Sequence, residues 1–82
     1  MQVTLYTRPG CHLCDDARAV VLAEREQTPF SFEEVDIEGS DVLLAEYGIR
    51  IPVIVVDGEE AFEYTVEADA FAGIVRPRVG GL

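Results

Sequence analysis

Both cysteines of the chain lie two residues apart, in the segment Arg8-Pro9-Gly10-Cys11-His12-Leu13-Cys14. An alternating apolar run precedes this segment and a helical pattern follows it, so the pair lies at a predicted strand-to-helix junction. A Cys-x-x-Cys pair can serve as a redox couple, as half of a metal site or as a structural disulfide. Because a disulfide that closes so short a loop stabilises a fold only weakly, the pattern favours a chemical role for the thiols.

A metal site is the second use to consider. A closed zinc site needs four ligands, usually two cysteine pairs or one pair with two histidines. The chain has two cysteines and a single histidine, His12, which lies between them. We therefore expect no zinc site within one chain. A metal or iron–sulfur cluster held between two chains by Cys11 or Cys14 stays open as an alternative.

The redox interpretation agrees with the residues around the pair. If a helix begins at Cys11, its sulfur lies near unpaired N–H groups and the positive end of the helix dipole, and both stabilise a thiolate. Cys14 lies one turn further along and is expected to be more buried, so Cys11 is the candidate nucleophile and Cys14 the resolving thiol. His12 would add positive charge if protonated, or is simply an exposed first-turn residue. Asp15 and Asp16 oppose the thiolate, and the sequence leaves this balance open.

The composition predicts one small acidic domain spanning residues 1–82, with 77–82 as a loose tail. The hydrophobic fraction of 49% is typical of a folded protein. Sixteen carboxylates against six arginines give a net charge of −10, which argues against a nucleic-acid partner. No apolar run is long enough to span a membrane, and no secretory leader precedes the first predicted strand. We therefore expect a cytoplasmic monomer in a reducing compartment, where structural disulfides seldom persist.

Periodicity and turn signals predict the order β-α-β-α-β-β-α, which gives a four-stranded mixed sheet flanked by three helices. The predicted strands cover residues 2–7, 30–37, 51–56 and 60–64. The predicted helices run from Cys11 to before Pro29, over 42–47, and from a cap at Thr65 to Pro77.

Two strands carry further predictions. The charged residues of the second strand indicate a sheet edge, and its apolar alternation slips between Phe32 and Val35, which predicts a bulge or a tilted end. Asp57-Gly58 predicts a two-residue hairpin between the third and fourth strands.

Three blocks, in this order, resemble the glutaredoxins of the thioredoxin fold: Leu5-Tyr6-Thr7-Arg8-Pro9-Gly10-Cys11-His12-Leu13-Cys14, Glu33-Glu34-Val35-Asp36-Ile37 and Gly48-Ile49-Arg50-Ile51-Pro52-Val53. The resemblance extends from Val3 to about Val75 and includes small bacterial glutaredoxin-like proteins. It implies an α/β thioredoxin-like fold and a thiol–disulfide oxidoreductase that reduces protein or mixed disulfides. We expect no tightly bound cofactor and no metal.

The same resemblance assigns binding roles. Ile51-Pro52 would be cis and lie against Cys11, with the Ile51 backbone pairing with the substrate. Arg8 would help to bind a glutathione carboxylate, or is otherwise a solvated surface charge. The N–H groups after Thr65 would hold a second carboxylate, although the segment Tyr64-Thr65-Val66-Glu67 has no glycine where glutaredoxins carry one.

The implied co-substrate is glutathione, with another low-molecular-weight thiol or a protein reductase as alternatives. A further alternative for the whole protein is an interaction module with an acidic docking surface and weakly reactive cysteines.

Overall fold

The computed structural model describes residues 1–80. Its elements in chain order are β1 (Gln2–Thr7), α1 (His12–Arg25), β2 (Ser31–Asp36), a 3-10 turn (Ile37–Gly39), α2 (Asp41–Tyr47), β3 (Val53–Val56), β4 (Glu59–Glu63) and α3 (Ala68–Gly80). The predicted order of strands and helices is confirmed. None of the helices within residues 1–80 has the length and apolar character that a bilayer-crossing helix needs.

The four strands form one mixed sheet in the order β2-β1-β3-β4. β1 runs parallel to β2 and antiparallel to β3, and β3 and β4 form the predicted antiparallel hairpin. At the hairpin turn, Asp57 and Gly58 have φ angles of +50° and +86°. Two successive positive φ angles are what a two-residue turn of this kind requires, which explains the Asp-Gly pair.

The core lies between one face of the sheet and the helices α1 and α3. Its buried residues are Val3, Leu5, Ala17, Val21, Phe30, Ile54, Val56, Phe71 and Val75. On the other face, the ring of Tyr6 in β1 stacks on Tyr47 of α2, with centroids 4.2 Å apart and an interplanar angle of 17°. Alternation along β1 therefore sends successive side chains to two different helical layers.

Both edges of the sheet carry exposed carboxylates, which oppose pairing with the edge of another sheet. They are Glu33, Glu34 and Asp36 on β2, and Glu59, Glu60 and Glu63 on β4. The predicted edge position of the second strand is confirmed, but the predicted bulge is wrong. Phe32 aligns with Val3 and Val35 aligns with Tyr6 in an unbroken register. The two apolar residues thus serve opposite faces of the sheet, and this accounts for the slip in alternation.

The last helix differs from the prediction at both ends. It begins at Ala68 and not after a cap at Thr65, and it continues through Pro77 to Gly80. Proline removes one helical hydrogen bond, but Arg76 of the same turn is held against α1 by two hydrogen bonds to Glu24. Residues 77–80 of the predicted tail are therefore helical, and residues 81–82 lie outside the described part of the chain.

Candidate functional site

Four chain segments meet at one end of the sheet, where strands begin or end. Tyr6 pairs with Val53, Val53 with Glu63, and Thr7 with Asp36, so the ends of β1, β2 and β4 and the start of β3 lie side by side. The segments that leave or enter the sheet there are 8–11, 37–40, 50–52 and 64–67. The predicted site residues all belong to these segments or to the first turn of α1.

Cys11 and Cys14 form a disulfide, with Cα atoms 5.2 Å apart. Cys11 is the N-cap of α1, and its Sγ accepts the backbone N–H of Cys14 at 3.1 Å. Cys14 is 1% exposed, whereas Cys11 is half-buried. The expected difference in burial is confirmed, and the cap position gives Cys11 both the helix end and a direct N–H donor.

The charges next to the pair are partly compensated. Arg18 donates to the carboxylate of Asp15 at 2.8 Å and also pairs with Glu34 of β2. The two carboxylates raise the pKa of Arg18, Glu34 more than Asp15. Asp16 and His12 are exposed to solvent, which screens the charge of the aspartate. Of the two aspartates predicted to oppose a thiolate, the structure therefore gives one an arginine partner.

The Ile51-Pro52 peptide bond is cis, as the resemblance implied, and the side chain of Pro52 is buried. The carbonyl oxygen of Pro52 accepts the N–H of Tyr64 at 2.9 Å. Tyr64 adopts a φ of +67°, a conformation that usually requires glycine. The segment after β4 thus makes its turn without the glycine found in glutaredoxins, and it places a half-exposed tyrosine beside the proline.

The predicted cap of the last helix at Thr65 is wrong, whereas the carboxylate site expected at the N–H groups after Thr65 stays a prediction. Thr65 is exposed, and its N–H donates to the carbonyl of Glu63 at 2.8 Å. Because α3 begins three residues later, the N–H groups that follow Thr65 are not those of the first helical turn. The contact between Phe71 N–H and the Glu67 carbonyl, at 2.9 Å, is an early hydrogen bond of that helix.

Arg8 lies at this end of the sheet, but its guanidinium is in an ion pair. It donates to Glu38 of the 3-10 turn at 2.8 Å, and the two side chains are 40% and 45% exposed. Sequence reasoning missed Glu38, since 30 residues separate it from Arg8 and no local pattern links them. The cation predicted to receive a carboxylate from the substrate therefore already holds one from the protein.

Arg50 is a second residue that sequence reasoning missed, although it lies inside the third block of the resemblance. Its guanidinium donates to Glu60 at 2.7 Å and to Glu63 at 3.2 Å, and lies 5.3 Å from the centroid of the Tyr47 ring. The β4 carboxylates, Glu60 foremost, raise the pKa of Arg50. These contacts join α2 and β4 to the residue that precedes Ile51-Pro52.

Within residues 1–80, no three histidine, cysteine, aspartate or glutamate side chains are grouped so that they could hold a metal ion. A metal at Cys11 and Cys14 would therefore need further ligands from outside this set, as in the alternative of a cluster shared between two chains.

Comparison with known proteins gives matches over most of the chain. The model of a family described as Glutaredoxin-like domain (DUF836) matches residues 2–73. A glutaredoxin-like protein of Dictyostelium discoideum is 29% identical, over 84% of this chain and 69% of that protein. A solved structural-genomics target protein from X. campestris is 30% identical with a TM-score of 0.74, over 87% of this chain and 91% of the other. E. coli glutaredoxin, 21% identical with a TM-score of 0.56 over 99% and 100% of the two chains, shares the fold.

Proposed function

This chain belongs to the glutaredoxin-like domain family, and on that premise we propose that it is a thiol–disulfide oxidoreductase that reduces protein or mixed disulfides. The observation that carries the proposal is the position of the two sulfurs. Cys11 caps the helix and receives the Cys14 N–H, while Cys14 lies buried directly behind it. This arrangement favours a thiolate at the accessible sulfur and keeps the second thiol within reach of it.

The proposed reaction proceeds in two exchanges. The Cys11 thiolate attacks one sulfur of the substrate disulfide, so that a new S–S bond forms, the substrate S–S bond breaks, and the departing thiolate takes a proton from water. Cys14 then loses its proton to water, and its thiolate attacks the Cys11 sulfur. The Cys11–Cys14 disulfide forms, and the second substrate thiolate leaves and is protonated. Two electrons pass to the substrate, and an external thiol or a protein reductase later returns two electrons to the Cys11–Cys14 disulfide.

The cis Ile51-Pro52 segment is the proposed substrate-positioning element. The half-buried Ile51 would offer its backbone to an extended substrate segment, as the family resemblance implies. The Tyr64 N–H bond to Pro52 and the contacts of Arg50 support this segment from β4. We propose that the protein acts in the cytoplasm. We also propose that it is a monomer, because exposed carboxylates on both edge strands oppose edge-to-edge pairing.

Single-turnover reduction of a peptide mixed disulfide tests the proposal. The Cys11→Ser variant should show no reaction. The Cys14→Ser variant should accumulate a covalent adduct at Cys11, visible by intact mass, because no second thiol resolves it. Circular dichroism of both variants checks that they fold. Full two-electron reduction by both variants would exclude the proposed roles.

A further inference from the structure

We propose that the dithiol site prefers cationic or neutral disulfides over anionic ones, and that Glu38 is a specificity-determining residue because it neutralises Arg8. The inference rests on the proposed function and adds the substrate class. An anionic disulfide is one such as oxidised glutathione, in which carboxylates outnumber ammonium groups. A cationic one carries amines near its sulfurs.

The arginines around the site already have protein carboxylates as partners. Arg8 pairs with Glu38 at 2.8 Å. Arg18 pairs with Asp15 and Glu34, and Arg50 pairs with Glu60 and Glu63. A substrate carboxylate that approaches Arg8 must therefore displace Glu38, and the exchange of one carboxylate for another brings little gain.

Carboxylates also face solvent in the first turn of α1 and at the start of α3. Asp16 is exposed in the first turn of α1, two residues after Cys14. Glu67 and Asp69 are exposed at the start of α3, which follows the segment bonded to Pro52. Asp69 lies in the first turn, where its charge already complements the positive end of the helix dipole. An incoming anion meets repulsion there, and an incoming cation meets attraction.

The whole chain is also strongly acidic. A net charge of −10 on 82 residues gives a negative potential that repels anions at long range and draws cations towards the surface. The local pairs and the overall field thus act in the same direction. Both act through solvent-exposed charges, so the preference should weaken as salt rises.

The test compares three small disulfides that differ in charge: cystamine (cationic), bis(2-hydroxyethyl) disulfide (neutral) and oxidised glutathione (anionic). The reduced protein is mixed with each, and its oxidation is followed by acid quench, alkylation and mass. Each rate constant is divided by that of dithiothreitol with the same disulfide, which removes differences in leaving-group chemistry. At low salt we expect a normalised preference of about tenfold for cystamine over oxidised glutathione, falling to about twofold at about 0.5 M salt.

Glu38→Gln tests the specific residue. The change frees Arg8, so the normalised rate with oxidised glutathione should rise about threefold while that with cystamine falls and that with the neutral disulfide stays constant. The matched control is Glu26→Gln, which removes the same charge from the exposed C-cap of α1, at the other end of that helix. The control should leave all three rates unchanged.

The outcomes separate this inference from the proposed function. If no disulfide oxidises the protein to the Cys11–Cys14 disulfide, the proposed function is wrong. If all three react with equal normalised rates, the function stands and the charge preference is wrong. If Glu38→Gln and Glu26→Gln change the rates alike, the preference comes from net charge alone, and the role of Glu38 is overturned.

Discussion

The guanidinium of Arg76 makes two hydrogen bonds to the carboxylate of Glu24, at 2.7 and 3.0 Å, and so joins α3 to α1. The Glu24 side chain is 7% exposed, and it also accepts the hydroxyl of Thr28. A carboxylate so deeply placed is stable as a charge only because these donors replace water. The arginine lies one residue before Pro77, so this pair anchors the last turns of α3.

Replacement of Glu24 by Gln should destabilise the fold. The amide keeps the size of the side chain but loses the charge that Arg76 and Thr28 bind, so we expect a loss of about 2 kcal/mol in the free energy of unfolding. Urea denaturation followed by circular dichroism measures it. Glu26→Gln removes an exposed carboxylate two residues later and serves as the control, with an expected change below about 0.5 kcal/mol. Equal losses in the two variants would contradict the structural importance of the pair.

The same ion pair predicts a loss of stability in acid. The hydrogen bonds from Arg76, and then that from Thr28, lower the pKa of Glu24 in the folded state. The contribution is therefore fully present above the unfolded-state pKa of about 4.3 and is lost as the pH falls through the lower folded-state value. The stability gap between the wild type and Glu24→Gln should stay constant from about pH 7 to about pH 5 and narrow below about pH 4. A gap independent of pH down to about pH 2 would argue against this titration.

The sequence was sufficient to predict the order of strands and helices, because the signals for it are local. The family resemblance added the thioredoxin-like fold, and both predictions are confirmed. Alternation predicted β1 over its full length, and Asp57-Gly58 predicted the hairpin turn. The ends of α3 were wrong for reasons that involve distant residues. The start is delayed by the turn at Tyr64, and the end is extended by the contact between Arg76 and Glu24, which are 52 positions apart.

The site, like the fold, has parts that local sequence signals predicted and parts that depend on distant residues. The Cys11–Cys14 pair and Pro52 are recognisable from short motifs, and the structure brings them to the same end of the sheet. The partners of the arginines were not predictable, since Arg8 and Glu38 meet only when β1 and β2 align. Their positions depend on tertiary packing, and the charge of the site depends on them.

Reduced Cys11 should react faster with iodoacetamide than Cys14, because the first is a half-buried helix cap and the second is buried. The rate against pH should reach half its maximum below about 8.5, the value of a free thiol, since helix N–H groups stabilise the thiolate. Tandem mass spectrometry identifies the alkylated residue. A midpoint at or above that value would mean that the acidic neighbours dominate, and the binding-module alternatives would then gain support over an enzyme.

Arg18→Gln should move this alkylation midpoint upward. Arg18 holds the Asp15 carboxylate at 2.8 Å, and without it the negative charge one residue after Cys14 would act unopposed on the thiolate. We expect a shift of about 0.3 pH units, the size of a screened surface interaction. Arg25→Gln, in the last turn of the same helix, removes the same charge further from the cysteines and is the control. No difference between the two variants would show that Asp15 does not influence the thiol.

Tyr64→Gly should stabilise the protein, and Tyr64→Ala should not. The backbone at Tyr64 has a φ of +67°, where a side chain is strained and glycine is not. The gain from relieved strain exceeds the added flexibility of the unfolded chain, so we expect glycine to be more stable than alanine by about 1 kcal/mol. Thermal unfolding of the three proteins measures the order. Alanine equal to glycine would show that the turn carries no strain.

Arg50→Gln should loosen the segment that positions the substrate. Arg50 holds Glu60 and Glu63 of β4, and the Tyr64 N–H that follows this strand donates to the Pro52 carbonyl. We expect hydrogen exchange of the Tyr64 amide to become about tenfold faster and the KM for a protein disulfide to rise about threefold. The alkylation rate of Cys11 should stay unchanged, since the contacts of Arg50 within residues 1–80 do not include either cysteine.

The matched control for Arg50→Gln is Arg78→Gln. Arg78 is also in an ion pair, with Asp57 at 3.3 Å, but that aspartate lies at the hairpin turn, at the opposite end of the sheet. The loss of Arg78 should leave both the hydrogen-exchange rate of the Tyr64 amide and the KM unchanged. If both variants raise the KM equally, the effect comes from general loosening of the fold. If Arg50→Gln slows alkylation as well, the arginine acts on the thiol itself and not through the Ile51-Pro52 segment.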